Sequence, residues 1–148
     1  MNQGENVPRK IIVHHSSRTV DTPQFGPIDV FHKEQGFRRS SLGYFVGYHY
    51  FIEKNGIIVQ ARKEEEIGQH SITQNRTSIG ICLAGNFDEA MPTEKQIQAL
   101  GALLIKLVQK HHIEESAILP HRAHRGTHCY GLLLSDGWAQ EVYSAAKG

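Results

Sequence analysis

Two short apolar runs constrain the fold of this chain more than any other feature. One spans residues 10–15 and ends in His14 and His15, and the other spans residues 78–83. Both runs are short, apolar and rich in β-branched residues, which is typical of buried strands. Because alternate side chains of a strand share a face, His14 and His15 are expected to point to opposite sides of the sheet.

The remaining patterns add a hairpin, a brief strand and three helices. Asn55-Gly56 lies between two β-rich runs within residues 46–60, which predicts a hairpin with a tight turn. A capping box formed by Thr93 and Gln96 begins an amphipathic helix that we expect to end near His112. The other predicted elements are a brief strand at 118–119, a short helix at 28–37 and a closing helix at 135–146.

The short helix predicted over residues 28–37 has an amphipathic pattern. Ile28 and Phe31 are expected to face the core, whereas His32 is expected to be exposed. Asp29 would then lie in the first turn, where a carboxylate interacts favourably with the helix dipole.

Strands and helices are mixed without strict alternation, which indicates an α/β or α+β architecture with a mixed sheet. A chain of 148 residues fits one domain with its own core. Residues 1–8 are polar and are expected to form a lead-in, with residues 9–148 as the single domain.

Charge and hydropathy argue against several classes of function. The formal net charge is +1, so composition gives no reason to expect nucleic-acid binding. No uninterrupted apolar run approaches the ~20 residues of a membrane span. The first residues lack the apolar core of a secretory signal, so we expect synthesis in the cytoplasm without a signal peptide.

The run from Pro120 to Gly131 contains three histidines, a cysteine and two arginines, and it has the periodicity of neither helix nor strand. Histidine and cysteine together form a ligand set that suits zinc. If this loop meets the first strand, His14, His121 and Cys129 can supply three ligands. Other ligands that the residues leave open are His15, His124 and His128.

The two cysteines invite different interpretations. Cys82 lies in an apolar run and fits a buried small hydrophobic residue. Cys129 lies among polar and basic residues, where a thiolate is better supported. A disulfide between them is a rival interpretation that would remove the proposed ligand. Tyr48 and His49 are open in the same way, as packing residues of a strand or as cleft groups that act on a metal-bound water.

Several ordered segments of the chain resemble the type-2 family of zinc-dependent N-acetylmuramoyl-L-alanine amidases. This family includes amidase-type phage lysozymes and animal peptidoglycan recognition proteins. The resemblance spans roughly residues 10–143, and it depends on the order and spacing of Val13-His14-His15-Ser16, Phe31-His32-Lys33-Glu34-Gln35-Gly36, Val46-Gly47-Tyr48-His49-Tyr50, Ile67-Gly68-Gln69-His70, the segment 75–85, His121-Arg122 and Thr127-His128-Cys129-Tyr130-Gly131. Ala123 and Tyr130 depart from the aspartate and proline that the family often has there.

The resemblance implies a single α/β catalytic domain with a mixed central sheet flanked by helices and an open zinc-containing cleft. It implies one Zn²⁺ ion held by His14, His121 and Cys129. Tyr48 matches the catalytic tyrosine, and Thr127 lies where members carry lysine or threonine to stabilise the oxyanion. His49 and His70 match cleft histidines expected to bind substrate, and Arg122 is expected to position substrate or bind its carboxylate.

The reaction implied by the resemblance is hydrolysis of the amide between N-acetylmuramic acid and L-alanine of the peptidoglycan stem peptide. A non-catalytic module that binds muropeptides is the alternative within the same fold. In both cases the expected partner is peptidoglycan or a muropeptide. Neither nucleic-acid binding nor membrane insertion is expected, and the protein is expected to be a monomer. An enzyme of this kind would act on the cell wall after release or delivery.

Overall fold

The computed structural model describes residues 5–123 and 127–148 of the chain. Within these residues one sheet contains five strands, in the order β3-β2-β4-β1-β5. The strands are β1 Lys10–His15, β2 Tyr50–Ile52, β3 Ile58–Gln60, β4 Ser78–Leu83 and β5 Ile118–Pro120. The helices are α1 Phe25–Glu34, α2 Glu94–His111 and α3 Trp138–Lys147, with short 3₁₀ turns at Glu115–Ala117 and His121–Ala123.

Strand β1 lies inside the sheet, parallel to β4 on one side and to β5 on the other. Strand β2 is also parallel to β4, and only β3 runs antiparallel, as the second strand of the hairpin. The mixed sheet predicted from the sequence is therefore confirmed. Since the parallel strands share one direction, their carboxyl ends meet at one edge, where α/β proteins commonly bind ligands.

Helices cover both faces of the sheet. On one face α2 and α3 pack over a large apolar core that includes Val13, Ile81 and Leu104. On the other face α1 packs over a smaller core in which Ile28 meets Phe51 and Cys82. Such a two-sided arrangement explains why β1 and β4 are apolar along their whole length.

The hairpin and the long helix form as their local signals predict. The backbone at Gly56 has a φ angle of +88°, a conformation that glycine adopts without a steric penalty. Thr93 and Gln96 form both hydrogen bonds of the capping box at the start of α2. Strand β5 and the strands β1 and β4 also lie where the sequence places them.

Helix α1 begins and ends three residues earlier than predicted, at Phe25 and Glu34 instead of 28 and 37. The cause is a carboxylate from elsewhere in the chain. Glu53 follows β2, and its buried side chain accepts hydrogen bonds from the backbone N–H groups of Gln24 and Phe25. It thereby satisfies donors at the helix N-terminus that would otherwise lack partners.

Burial on α1 matches the prediction at Ile28 but not at His32 and Phe31. His32 is buried beside Ile28, whereas Phe31 is 48% exposed, so the expectations for His32 and Phe31 are wrong. The Nδ1 atom of His32 accepts a hydrogen bond from Gly47 N–H at 3.0 Å. Asp29 lies beyond the first turn and accepts hydrogen bonds from the backbone of Phe45 and Val46.

The two ends of the chain add smaller differences. Helix α3 begins at Trp138, three residues later than predicted, and Val142 and Tyr143 are buried as expected. Before β1, the side chain of Asn6 is buried and donates hydrogen bonds to the carbonyl groups of Glu64 and Ser78. Among the described residues, none of the helices has the length and apolar character needed to cross a bilayer.

Candidate active site

Strand register brings two of the predicted metal ligands side by side. Val13 pairs with Pro120, so the next residues of the two parallel strands, His14 and His121, reach the same level at the carboxyl edge of the sheet. Their ring centroids are 4.5 Å apart. His14 is buried and His121 is half-buried, which leaves the pair accessible from one side.

Cys129 completes this group from the loop that follows β5. One ligand atom each from His14, His121 and Cys129 can be chosen so that all three lie within 4.8 Å of one another. The Cys129 sulfur accepts a hydrogen bond of 3.2 Å from His15 N–H. Burial raises the pKa of the Cys129 thiol to about 12, and this backbone bond partly opposes the rise.

The three other candidate ligands each lie in a different environment or outside the described residues. His15 faces away, because its Nδ1 accepts from Phe87 N–H at 3.0 Å and its Nε2 contacts Ser17 Oγ at 3.1 Å. His128 is exposed, and it does not belong to the group of possible ligands found among the described residues. His124 lies outside the described residues.

His70 lies directly behind His14. The Nδ1 atom of His70 is 3.0 Å from the Nε2 atom of His14. Burial, together with the neighbouring histidines, lowers the pKa of each ring well below its usual value, so both imidazoles are neutral at physiological pH.

Tyr48 lies on the other side of His14, with ring centroids 5.0 Å apart. Its hydroxyl lies near the sulfur of Cys82, a residue that pairs with His14 across β1 and β4. Burial and the two nearby thiols raise the pKa of Tyr48 well above its usual value. The phenol therefore keeps its proton near neutral pH and acts as a hydrogen-bond donor.

Cys82 itself is buried, as predicted, and both cysteines are free thiols, so the structure contains no Cys82–Cys129 disulfide. The sequence offered no signal that Cys82 contacts Tyr48. Only the pairing of β1 with β4 shows that Cys82 and His14 point to the same face of the sheet.

Thr127 lies two residues before Cys129 and is half-buried. Its Oγ1 atom accepts a hydrogen bond from Cys129 N–H at 3.3 Å, so its own proton is available to a further acceptor. The side chain also lines a cavity of about 630 Å³ together with Pro120, Ala123 and Gln140. That volume is in the range typical of small-molecule sites.

The guanidinium of Arg122 is largely engaged within the protein. Nη1 donates to the carbonyl groups of His128 and Gly131 at 3.2 and 2.8 Å, and Nη2 donates to that of Leu134. Nε donates to Asp136 at 2.6 Å. Four of the five N–H donors are thus used within the protein, and the geometry favours a structural role that holds the Cys129 loop in place.

His49 is also placed differently from the cleft position expected of it. Its side chain has no exposed surface, its Nε2 donates to the carbonyl of Glu66 at 2.7 Å, and its Nδ1 accepts from Gly80 N–H at 3.0 Å. Burial lowers the pKa of His49 to about 4. Both ring nitrogens of His49 are therefore used inside the protein, and the expected substrate contact stays a prediction.

The histidine and cysteine donors fit a zinc ion. Two imidazoles and a thiol are ligands that zinc accepts, and three protein ligands leave a fourth position open, as catalytic zinc sites do. The N–H group that His15 directs at the Cys129 sulfur would stabilise a thiolate ligand.

A mixed sheet with two histidines and a cysteine gathered at the carboxyl ends of its parallel strands defines a class of small α/β proteins with a candidate hydrolytic metal site. A family model described as N-acetylmuramoyl-L-alanine amidase matches residues 4–131. The chain therefore belongs to the N-acetylmuramoyl-L-alanine amidase family.

Individual relatives agree with this assignment. The endolysin of Escherichia phage T7 is 36% identical over 117 residues, covering 74% of this chain and 70% of that protein. The solved structure of the N-acetylmuramoyl-L-alanine amidase LysC from Clostridium intestinale URNW superposes with a TM-score of 0.79 and 31% identity, covering 96% and 87% of the two chains. The peptidoglycan-recognition protein SC2 of Drosophila melanogaster is 30% identical over 122 residues, covering 81% of this chain and 66% of that protein.

Proposed function

We propose that this chain is a zinc-dependent peptidoglycan amidase that cleaves the bond between N-acetylmuramic acid and the L-alanine of the stem peptide. The observation that carries the proposal is the convergence of donor atoms from His14, His121 and Cys129 to within 4.8 Å. Membership of the amidase family and the similarity to a phage endolysin support the reaction and the substrate class.

We assign His14, His121 and Cys129 as the residues that hold the ion. When bound, a zinc ion supplies Lewis-acid polarisation of the amide carbonyl and a water of lowered pKa. Burial of His14 and Cys129 keeps water away from two of the three donors, which strengthens electrostatic interactions within the site.

Tyr48 has the role of orienting the attacking water. Its ring lies next to that of His14, so its hydroxyl can orient a water or a substrate oxygen at the site. The neighbouring Cys82 and the contact with His14 hold the ring at the edge of the site.

Thr127 has the role of a donor to the oxyanion. Its hydroxyl can accept from Cys129 N–H and still donate to the developing negative charge on the substrate oxygen. The cavity beside it provides space for part of the stem peptide. A neutral hydroxyl stabilises the oxyanion less than a lysine would at the same place.

The matched variants Cys129→Ser and Cys82→Ser test this proposal. Zinc content is measured on the purified full chain, and hydrolysis is followed by the loss of turbidity of a cell-wall suspension. Cys129→Ser should lose at least about 1,000-fold in rate, because the ion provides several kcal/mol of transition-state stabilisation. Cys82→Ser should retain bound zinc, since Cys82 is not among the ligands.

Equal hydrolysis by Cys129→Ser and wild type would reject the metal assignment. Wild-type protein that binds muropeptide but releases no free L-alanine amino group would instead support the non-catalytic binding module.

A further inference from the structure

We propose that His70 is a positioning residue that fixes the tautomer of His14 and directs the Nδ1 lone pair of His14 toward the ion. The inference rests on the proposed function, because it takes His14 as a ligand. Its basis is a chain of hydrogen bonds that joins His14 to His70, then to Ser78, and ends at the backbone carbonyl of Gln74.

The direction of every bond in this chain follows from its far end. The Gln74 carbonyl can only accept, so Ser78 Oγ donates its proton there, at 2.6 Å. Ser78 Oγ therefore accepts the proton of His70 Nε2, which lies 3.3 Å away. A neutral His70 protonated at Nε2 has a bare Nδ1, and this atom accepts the Nε2 proton of His14 at 3.0 Å.

The consequence for His14 is a single tautomer. With its proton held at Nε2, the lone pair of His14 lies on Nδ1, which is the nitrogen left for a metal ion. Ligating histidines commonly donate their second ring N–H to a nearby acceptor, and loss of that partner typically lowers metal affinity about 10- to 100-fold. Here the partner is a second histidine rather than a carboxylate or carbonyl.

Close packing makes His70 a fixed acceptor. A Cβ atom at Gly80 would lie 2.6 Å from the His70 ring, and one at Gly68 would lie 2.8 Å from it, so two glycines form the walls against which the ring fits. The backbone N–H of His70 is held by Asn75 Oδ1 at 2.9 Å. The ring therefore packs closely against the backbone of Gly80 in β4.

The same geometry argues against a substrate contact for His70. Its exposed fraction is 9%, and both ring nitrogens are used inside the protein. A substrate group that bound His70 would have to break its bond to His14 or to Ser78. We therefore separate His70 from the residues that touch substrate.

The test uses two nearly isosteric replacements, His70→Leu and His70→Asn. Both remove the ring and leave a similar cavity, but only asparagine retains an acceptor near the position of Nδ1. Zinc affinity of the purified full chain is measured by competition with a chromophoric chelator. A second readout is the absorption spectrum of the cobalt-substituted protein, which reports ligand geometry without requiring activity.

We expect His70→Leu to weaken zinc binding about 10- to 100-fold and to alter the cobalt spectrum. His70→Asn should recover most of this loss. Ser78→Ala removes the end of the chain without touching His14, and it should weaken zinc binding at least about threefold, since a support that acts through one more bond has a smaller effect. Ser78→Ala also keeps the proposal testable if the His70 variants fail to fold.

His32→Leu is the matched control for loss of a buried imidazole. His32 is also 9% exposed and also uses Nδ1 as an acceptor, but for Gly47 N–H and not for a ligand. It should lower the melting temperature while zinc affinity stays within about twofold.

Equal zinc affinities for His70→Leu and His70→Asn, or an unchanged affinity in Ser78→Ala, would overturn the positioning role. Wild-type protein that binds no zinc would instead reject the metal assignment of the proposed function, so the two failures are distinguishable.

Discussion

The two segments that carry the metal ligands are held in place by different means. His14 belongs to β1, which is paired along its length with β4 and over three residues with β5. Cys129 belongs to the loop that follows β5, and there a single side chain provides much of the support. Arg122 binds three backbone carbonyls and Asp136, and its guanidinium lies over the Tyr130 ring, 5.4 Å from the ring centroid.

This difference determines how each segment responds to mutation. Many equivalent backbone bonds fix the backbone of His14, whereas the Cys129 loop depends largely on the Arg122 guanidinium. Tyr130 adds a second anchor, because its hydroxyl donates to the carbonyl groups of Ser135 and Asp136 near the start of α3. We expect the loop segment to fail first, and the sheet segment to remain intact when it does.

Replacing Arg122 by methionine should have the largest effect. The change leaves three loop carbonyls without their donor, which should cost about 3 kcal/mol of unfolding free energy. Displacement of Cys129 should lower activity about 100-fold or more, since an error of about 1 Å in a site can cost that much. Chemical denaturation and hydrogen exchange check both expectations. Exchange should rise in residues 127–134 and stay slow in β1.

Asp136→Ala provides the control for this prediction. The Asp136 side chain is 83% exposed, so losing its ion pair with Arg122 should cost less than about 1 kcal/mol. If Arg122→Met raised exchange equally in β1 and in the loop, the two segments would form one cooperative unit and the contrast between them would be wrong.

The Glu64 carboxylate makes acid-sensitive hydrogen bonds that support the sheet segment and not the Cys129 loop. Its buried carboxylate accepts hydrogen bonds from Tyr50 of β2 and from Lys110 and His111 of α2. Burial alone would raise the pKa of Glu64, but these partners outweigh burial and lower it from 4.5 to about 2. Since the folded-state pKa is the lower one, the stabilisation is complete above pH 4.5 and is lost as the pH falls toward 2.

Glu64→Gln should therefore lower the unfolding free energy at pH 7 by up to about 3 kcal/mol. The difference from wild type should shrink steadily below pH 4.5. Urea denaturation at a series of pH values measures it. A difference that stays constant down to pH 2 would show that the ionised carboxylate is not the stabilising species.

Thr127→Val should have the smallest effect of the three, and it should affect activity more than stability. Valine keeps the shape of threonine but removes the hydroxyl, so we expect about a 10-fold loss of hydrolysis rate, or ~1.4 kcal/mol. Steady-state hydrolysis of a soluble muropeptide measures the loss. Thr127→Ser restores the hydroxyl and should recover most of the rate, whereas full activity in the valine variant would remove Thr127 from the catalytic group.

Local signals in the sequence predicted much of the fold. The capping box, the helical spacing of α2, the Asn-Gly turn and the apolar runs of β1 and β4 each depend on residues close together in the chain. Helix α1 shows where this approach fails. Its start depends on Glu53, a residue 28 positions after Phe25, and no local pattern reports a cap from that distance.

The same distinction between local signals and distant contacts applies to the candidate site residues. Residue type and order brought His14, His121 and Cys129 to attention, and the structure gathers them. Residue type left the environment of His49 open, because a buried imidazole and a cleft imidazole look the same in a sequence. The environment of Arg122 was hidden in a similar way. Its N–H groups donate to backbone carbonyls, and because every residue has a carbonyl, the sequence does not show which ones an arginine binds.

Gly131 illustrates both levels of information at once. The sequence shows a glycine there, and its φ angle of +113° lies in the region that favours glycine. Only the structure shows that a Cβ atom there would lie 2.4 Å from Phe87, so the loop also needs the missing side chain for close packing.

The sequence by itself determined which chemical groups this protein has, the strands and helices that carry them, and the family to which they point. Tertiary structure decided which groups face the site and which are used to hold it together. The physical reason is that strand pairing and hydrogen bonding join residues far apart in the chain, such as His14 with His121 and His70 with Ser78, and such pairings leave no periodic trace in the order of amino acids.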